Sequence, residues 1–262
     1  MEAKNGKPSE LAEAMMQYLD CECRYFPPMR DDTELCAAYR DARRDATDGG
    51  YVPMLIKVDE VLWECLIMNS DPDSDGEDDY RFDAAAVAAY RREQLSRELP
   101  DGREILKGYL VDRKEEAEDD EIDWDRELVG AVEGGEKIDC FAAYRDYRSE
   151  ETAPVILAKI PVKHAFEVFA YLPFGGWNDC PGTEELMAVT KYWEERYGAR
   201  PSTMSHDELE FFLPAPVPEN SALELALEHY GFCPDVYQGG DYPLGALADS
   251  LSRSKIWYFW WD

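Results

Sequence analysis

The chain closes with Ile256-Trp257-Tyr258-Phe259-Trp260-Trp261-Asp262, and no other segment restricts the fold as strongly. These are bulky β-forming residues, and successive side chains of a strand point to opposite faces. Aromatic groups therefore stand on both sides of the strand they predict, and both faces call for cover. Upstream, three amphipathic helices are legible. Leu186, Val189, Thr190, Trp193 and Tyr197 recur at helical spacing on one face, with Gly198 placed as a C-terminal cap. Leu223, Ala226, Leu227 and Tyr230 repeat the pattern before Gly231, and Leu244, Leu247, Ala248 and Leu251 form the third.

The first half reads as helix, strand, turn, strand. Glu10 to Tyr18 and Thr33 to Asp45 have helical character, Gly49-Gly50 breaks it, Val52 to Val58 is a strand, and Val61 to Met68 is expected to return as another after a turn at Asp59-Glu60. The order recurs from Cys140. Ala142-Ala143-Tyr144-Arg145-Asp146 repeats the string Ala37-Ala38-Tyr39-Arg40-Asp41, Pro154 to Ile160 supplies a strand, and Phe166 to Leu172 returns. A weaker third copy runs from Tyr192, with strands Arg200 to Met204 and Glu208 to Leu213 around His206-Asp207. The expectation is an α+β fold of helix–strand–turn–strand units, with duplication as one origin for them. The polar stretch Asn69 to Lys137 holds one helix, Asp83 to Glu98, and the acidic run Glu115 to Asp120. A boundary at Gly134-Gly135 divides an N-terminal α+β region, 1–135, from a C-terminal α+β domain, 136–262.

Charge narrows the function classes. Fifty-seven acidic residues against 27 basic ones leave a formal charge of -30, which repels phosphate backbones and anionic lipid. Nucleic-acid and membrane binding are disfavoured, and a cationic partner such as a basic protein face or a divalent metal is favoured. The N-terminus shows no secretory pattern, and no apolar run approaches the roughly 20 residues of a membrane span. The expected compartment is the cytoplasm. Seven scattered cysteines without a Cys-x-x-Cys pair read as reduced thiols.

Five fragments carry a resemblance: Phe174-Gly175-Gly176-Trp177-Asn178-Asp179-Cys180-Pro181, Lys191-Tyr192-Trp193, Tyr197-Gly198-Ala199, Phe232-Cys233-Pro234-Asp235 and the terminal Trp257 to Asp262. In combination and order they resemble the bacterial family known as domain of unknown function 4253 (DUF4253), over roughly Ile160 to Asp262. The resemblance implies a bacterial origin and a compact α+β domain ending at the aromatic strand. It implies no activity.

Several clusters are candidates for chemistry. Asp71-x-Asp73-x-Asp75-Gly76, followed by Asp79, resembles a calcium loop, because hard divalent ions need closely spaced oxygen ligands and a tight turn. Phe82 stands where the bidentate glutamate belongs, so a solvated acidic loop is the plainer reading; calcium is the one cofactor the sequence raises. Cys180 and Cys233, each beside a proline and near an aspartate, could with His206 compose a thiol nucleophile and base, or zinc ligands. Buried cysteines acting as small hydrophobes are the competing reading. Cys21-x-Cys23 lacks the further ligands a tetrahedral metal site needs. His164 is expected to start a strand, His206 to lie in a turn, and His229 to take a surface or capping place in a helix.

Gly175-Gly176 reads as a sharp turn delivering Trp177 and Asn178, with Asn178 or Asp179 capping the next helix. Trp177, Trp193, Trp257, Trp260 and Trp261 either pack the core or line a ligand groove, with Asp179, Asp235 and Asp262 at its rim. The ligand-binding candidates are thus Trp177, Asn178, Asp179, Cys180, His206, Cys233, Asp235 and Asp262. Since no catalytic set is complete, the leading expectation is a non-catalytic acidic binding or accessory module facing a basic protein, in the manner of an acidic immunity protein. The alternatives are a hydrolase built on Cys180, His206 and Asp235, and a calcium-responsive regulator built on the Asp71 loop.

Overall fold

A computed structural model describes residues 6–73, 80–146, 148–237 and 242–262. The fold is α+β, with helices around a mixed sheet whose strands follow the order β1-β3-β2-β4-β5-β6, being Glu22–Phe26 (β1), Val52–Lys57 (β2), Val155–Ile160 (β3), Arg200–Met204 (β4), Glu208–Phe212 (β5) and Ile256–Trp260 (β6). β3 runs antiparallel to both β1 and β2, with Glu22 opposite Lys159 and Val52 opposite Ile160. β2 lies parallel to β4, with Leu55 opposite Thr203. β2 and β3 are apolar almost throughout and buried almost throughout, as strands covered on both faces must be.

The chain divides into two compact units. The first comprises residues 1–98, 142–174 and 201–209, and the second comprises residues 99–141, 175–200 and 210–262.

In the first unit, α1 (Glu10–Leu19) is capped by the Ser9 side chain and ends on Asp20 in the left-handed region, φ 49°. α2 spans Thr33–Gly49. After β2 the chain forms a helix, α3 (Glu60–Ser70), where a second strand was expected. Asp59 is its cap rather than a turn residue, accepting the Leu62 N–H at 3.0 Å. A short apolar run does not reveal its own period, and Leu62, Trp63, Cys65, Leu66 and Ile67 are buried around most of this helix. The aromatic centre of the unit sets Tyr18 and Phe82 edge-on to Trp63, with centroids 5.9 and 6.0 Å from it. α4 (Ala84–Ser96) starts on the Asp83 side chain.

Phe166 to Leu172 is likewise no strand; a 3-10 helix occupies Ala165–Ala170. Glu167 explains it, because its carboxylate accepts the Lys163 and His164 N–H groups at 2.9 Å each and winds the chain at its start. His164 therefore precedes a helix. The string Ala37 to Asp41 lies in α2, whereas Ala142 to Asp146 is turn and bridge, so the two copies share letters and not element order.

The second unit carries α5 (Gly102–Asp119), a π-helical turn Trp124–Val129, α6 (Thr183–Tyr197), α7 (Glu219–Phe232), a 3-10 turn Pro234–Val236 and α8 (Leu244–Leu251). Gly198 caps α6 at φ 69° as its position predicts. Gly102 is needed for contact, since a Cβ there would stand 2.2 Å from the Ala188 carbonyl oxygen of α6. Trp193 is the hub of the core. Its ring meets Phe232, Trp257, Phe211 and Phe259 with centroids 5.0 to 5.9 Å away. On β6, Trp257 and Phe259 are buried with Trp261 just beyond them, while Tyr258 is half-buried and Trp260 is 37% exposed. The aromatic strand is thus sealed on one face and only partly covered on the other.

Candidate functional site

Residues of β6 border a cavity of about 490 Å³ within the second unit. β6 contributes Trp257, Tyr258 and Trp260, α7 contributes His229, and α8 contributes Leu247 and Ser250. The 3-10 turn brings Asp235, and the segment before residue 140 brings Glu136. That segment is tied to α8: Gly135 N–H donates to the Asp249 carboxylate at 2.9 Å, Ile138 N–H to Ser254 Oγ at 2.9 Å, and the Ser250 hydroxyl to the Glu136 carbonyl.

Two wall residues have polar atoms with nothing to bond. His229 and Trp257 are each 1% exposed, and among the described residues neither His229 Nε2 nor Trp257 Nε1 has a hydrogen-bond partner. Their rings meet edge-to-face at 4.7 Å. Burial drives the His229 pKa down to about 3, so the imidazole is neutral at ordinary pH. Among the described residues the lining includes Glu136 and Asp235 and no lysine or arginine. The space can therefore hold a molecule with an apolar body, a hydrogen-bonding group and a positive charge.

Four of the sequence-predicted site residues meet at the end of β6. Asn178 Nδ2 donates to the Asp262 carbonyl at 2.7 Å, Asp262 N–H donates to Asp235 Oδ2 at 3.2 Å, and Cys233 Sγ donates to the Trp260 carbonyl at 3.0 Å. Burial pushes the Cys233 thiol well above the usual range, which keeps it protonated. Trp177 is half-buried in the turn closed by Gly176 N–H to the Cys180 carbonyl. Cys180 is buried there. Asp179 pairs with Arg113 at 2.8 Å.

The helix start belongs to neither Asn178 nor Asp179. Gly182 is the N-cap, and Glu185 reaches back to its N–H at 3.1 Å. His206 belongs to the first unit. There its Nδ1 lies 3.2 Å from Asp59 and its Nε2 3.4 Å from Asp207. The bond to Asp59 raises its pKa, against burial.

The proposed calcium loop is described in part. Asp71 is buried and its carboxylate accepts the Asp83 N–H at 2.7 Å, Asp73 is exposed, and Asp75 and Asp79 lie outside the described residues. Among the described residues no group of three or more His, Cys, Asp or Glu side chains is placed to share a metal ion. All seven cysteines carry thiols rather than disulfides. No helix among the described residues is long and apolar enough to cross a membrane.

Sequence reasoning missed His229, expected at a surface or capping position, and Glu136 and Ser250 altogether. His229 carries a signal, since it follows Ala222, Leu225 and Ala226 on the buried face of α7. Glu136 carries none, because the tie to α8 that places it is tertiary.

Residues 156–262 match the model of a family described as Domain of unknown function (DUF4253). The matched span includes His229, Asp235, Trp257 and Trp260 and leaves out Glu136. No curated protein and no solved structure matches the chain.

Proposed function

We propose that this chain is a non-catalytic binding protein whose C-terminal part takes up a small organic cation in the cavity beside β6. The observation that carries the reading is the pair of buried, unbonded nitrogens, His229 Nε2 and Trp257 Nε1, on two residues that border the cavity. A buried polar group left unsatisfied costs about 1–3 kcal/mol, and a ligand that accepts from the indole and donates to the neutral imidazole removes that penalty. Glu136 and Asp235 supply negative charge, and the aromatic residues that border the space, Tyr258 and Trp260 among them, suit a cation better than an anion. A formal charge of -30 enriches cations around the whole molecule.

The hydrolase reading is weaker on three counts: Cys180 is buried, His206 is engaged by two carboxylates, and Asp235 is bonded to the Asp262 backbone. The calcium-regulator reading loses support from the Asp71 carboxylate, which is occupied by the Asp83 N–H. A basic protein that inserts a lysine or arginine into the same cavity is the second reading, favoured by the acidic excess.

Calorimetric titration with phenethylamine, and with phenethyl alcohol as its uncharged counterpart, tests the proposal. The amine should bind saturably and at least about tenfold more tightly than the alcohol. Asp235→Asn should narrow the difference, and Val236→Trp, which fills the space, should abolish binding. Equal affinity for the two probes, or no saturable heat from the amine at about 10 mM with cooperatively melting protein, overturns it.

A further inference from the structure

The second concentration of unusual chemistry lies in the first unit, at the corner between α1 and β1. Cys21 occupies that corner and Cys23 is the second residue of β1. The two sulfur atoms lie 3.8 Å apart, both in half-buried residues. Arg91 of α4 is only 8% exposed. Its guanidinium lies over the rings of Tyr171 at 4.2 Å and Tyr18 at 5.0 Å, and Nη2 donates to the Tyr18 carbonyl. Among the described residues no carboxylate pairs with it, and its Nε has no hydrogen-bond partner. A buried cation without a counter-charge is costly.

The Arg91 charge acts on the Cys21 thiol and favours the deprotonated form. The hydrogen bond from Cys23 draws the Cys21 thiol below its usual range, burial opposes this, and the positive charge of Arg91 adds to the lowering. Asp20 acts the other way. Cys23 is pushed far up, first by its bond to Cys21, then by burial and by Glu22. The two shifts run in opposite directions, so Cys21 is the thiol that deprotonates more readily and Cys23 the one that keeps its proton longer.

We propose that Cys21 and Cys23 form a redox-active dithiol that closes to an intrachain disulfide by exchange with a small external disulfide. The Cys21 thiolate attacks one sulfur of R–S–S–R, forming a mixed disulfide and releasing one thiolate. Cys23 then loses its proton and attacks Cys21 Sγ, expelling the second thiolate. Both leaving groups take up protons, so, counted from the neutral dithiol, the protein gives up two protons and two electrons while R–S–S–R is reduced to two R–SH. Closure needs the sulfur atoms to approach from 3.8 Å to about 2.05 Å. A bridge between residues so close in sequence is strained, and strained bridges are the readily reduced, regulatory kind.

The sequence makes the test direct. Tryptic cleavage at Arg24 leaves Cys21 and Cys23 together in one peptide that contains no other cysteine. After the full-length protein is incubated with glutathione disulfide and the remaining thiols are blocked, that peptide should be lighter by two hydrogens, and dithiothreitol should reverse the change. In Cys23→Ser, glutathione should remain attached to Cys21. Cys21→Ser should react at least about tenfold more slowly, and Arg91→Met should slow the first step, with Arg91→Lys restoring most of the rate. A peptide that never loses its two hydrogens, equal glutathione labelling of both cysteines, or an unchanged rate in Arg91→Met with native melting overturns the proposal. The cavity reading is untouched by any of these results.

Discussion

Trp193 Nε1 donates to Glu228 Oε2 at 3.0 Å, joining α6 to α7 through a bond buried at both ends. The second oxygen of Glu228 accepts the Tyr192 hydroxyl at 2.8 Å. Burial raises the Glu228 pKa, and the bonds from Tyr192 and Trp193 pull it back only in part.

A carboxyl that holds its proton more tightly when folded contributes fully below its unfolded value of 4.5, and that contribution fades as pH rises through the folded value. We expect Glu228→Gln to flatten the fall in stability just above pH 4.5, as read by urea unfolding at several pH values. Glu228→Leu should cost about 2 kcal/mol, because the buried Trp193 N–H loses its acceptor. A Gln variant that keeps the wild-type slope would show that Glu228 does not generate it.

His229 predicts the opposite limb. Its pKa falls from 6.5 to about 3 on burial, so folded protein resists protonation and stability drains away as pH drops through that interval. The loss from this group amounts to roughly 5 kcal/mol once the pH is below the folded value. Replacing His229 by Phe should flatten the acid limb between these pH values, and chemical denaturation across that range measures it.

The pair of His206 with Asp59 should also write itself into the pH profile. The pKa of His206 is raised, first by its bond to Asp59, so its contribution is complete below 6.5 and is lost as pH climbs through the folded value. Asp59→Asn preserves an acceptor for the Leu62 N–H while weakening the attraction, and should reduce that loss. Asp59→Ala removes the cap of α3 as well and should cost a further ~1 kcal/mol.

Two glycines of α5 separate packing from propensity. A methyl group at Gly102 would sit 2.2 Å from the Ala188 carbonyl oxygen, whereas one at Gly108 would meet nothing within 4 Å. Gly102→Ala should lose about 2–3 kcal/mol, and Gly108→Ala should gain about 0.5–1 kcal/mol from helix propensity. Thermal unfolding of the two variants should move in opposite directions.

What the sequence discloses follows from how local each cause is. The inward face of α6 and its Gly198 cap are legible because they depend on spacing and one backbone conformation. α3 was misread because Asp59 serves equally as a turn residue and as a helix cap, and only the covered surroundings of Trp63 and Leu66 decide between them. α5 escaped notice although Asp101 and Glu104 mark its start, because only Gly102, Leu106 and Ala117 along it are buried. The candidate site divides the same way. Asp235, Trp257 and Trp260 stand in recognisable runs and His229 follows the buried spacing of α7, while the placement of Glu136 is decided by packing between segments far apart in the chain.

The two-sidedness of β6 gives the protein its own optical reporter. Trp257 lies against Trp193 with ring centroids 5.5 Å apart, whereas Trp260 looks outward and is 37% exposed. Emission from the first should report the packing of the core around it, and quenching of the second by iodide should respond to whatever enters beside it. A single short strand thus separates two signals that in most domains arrive mixed.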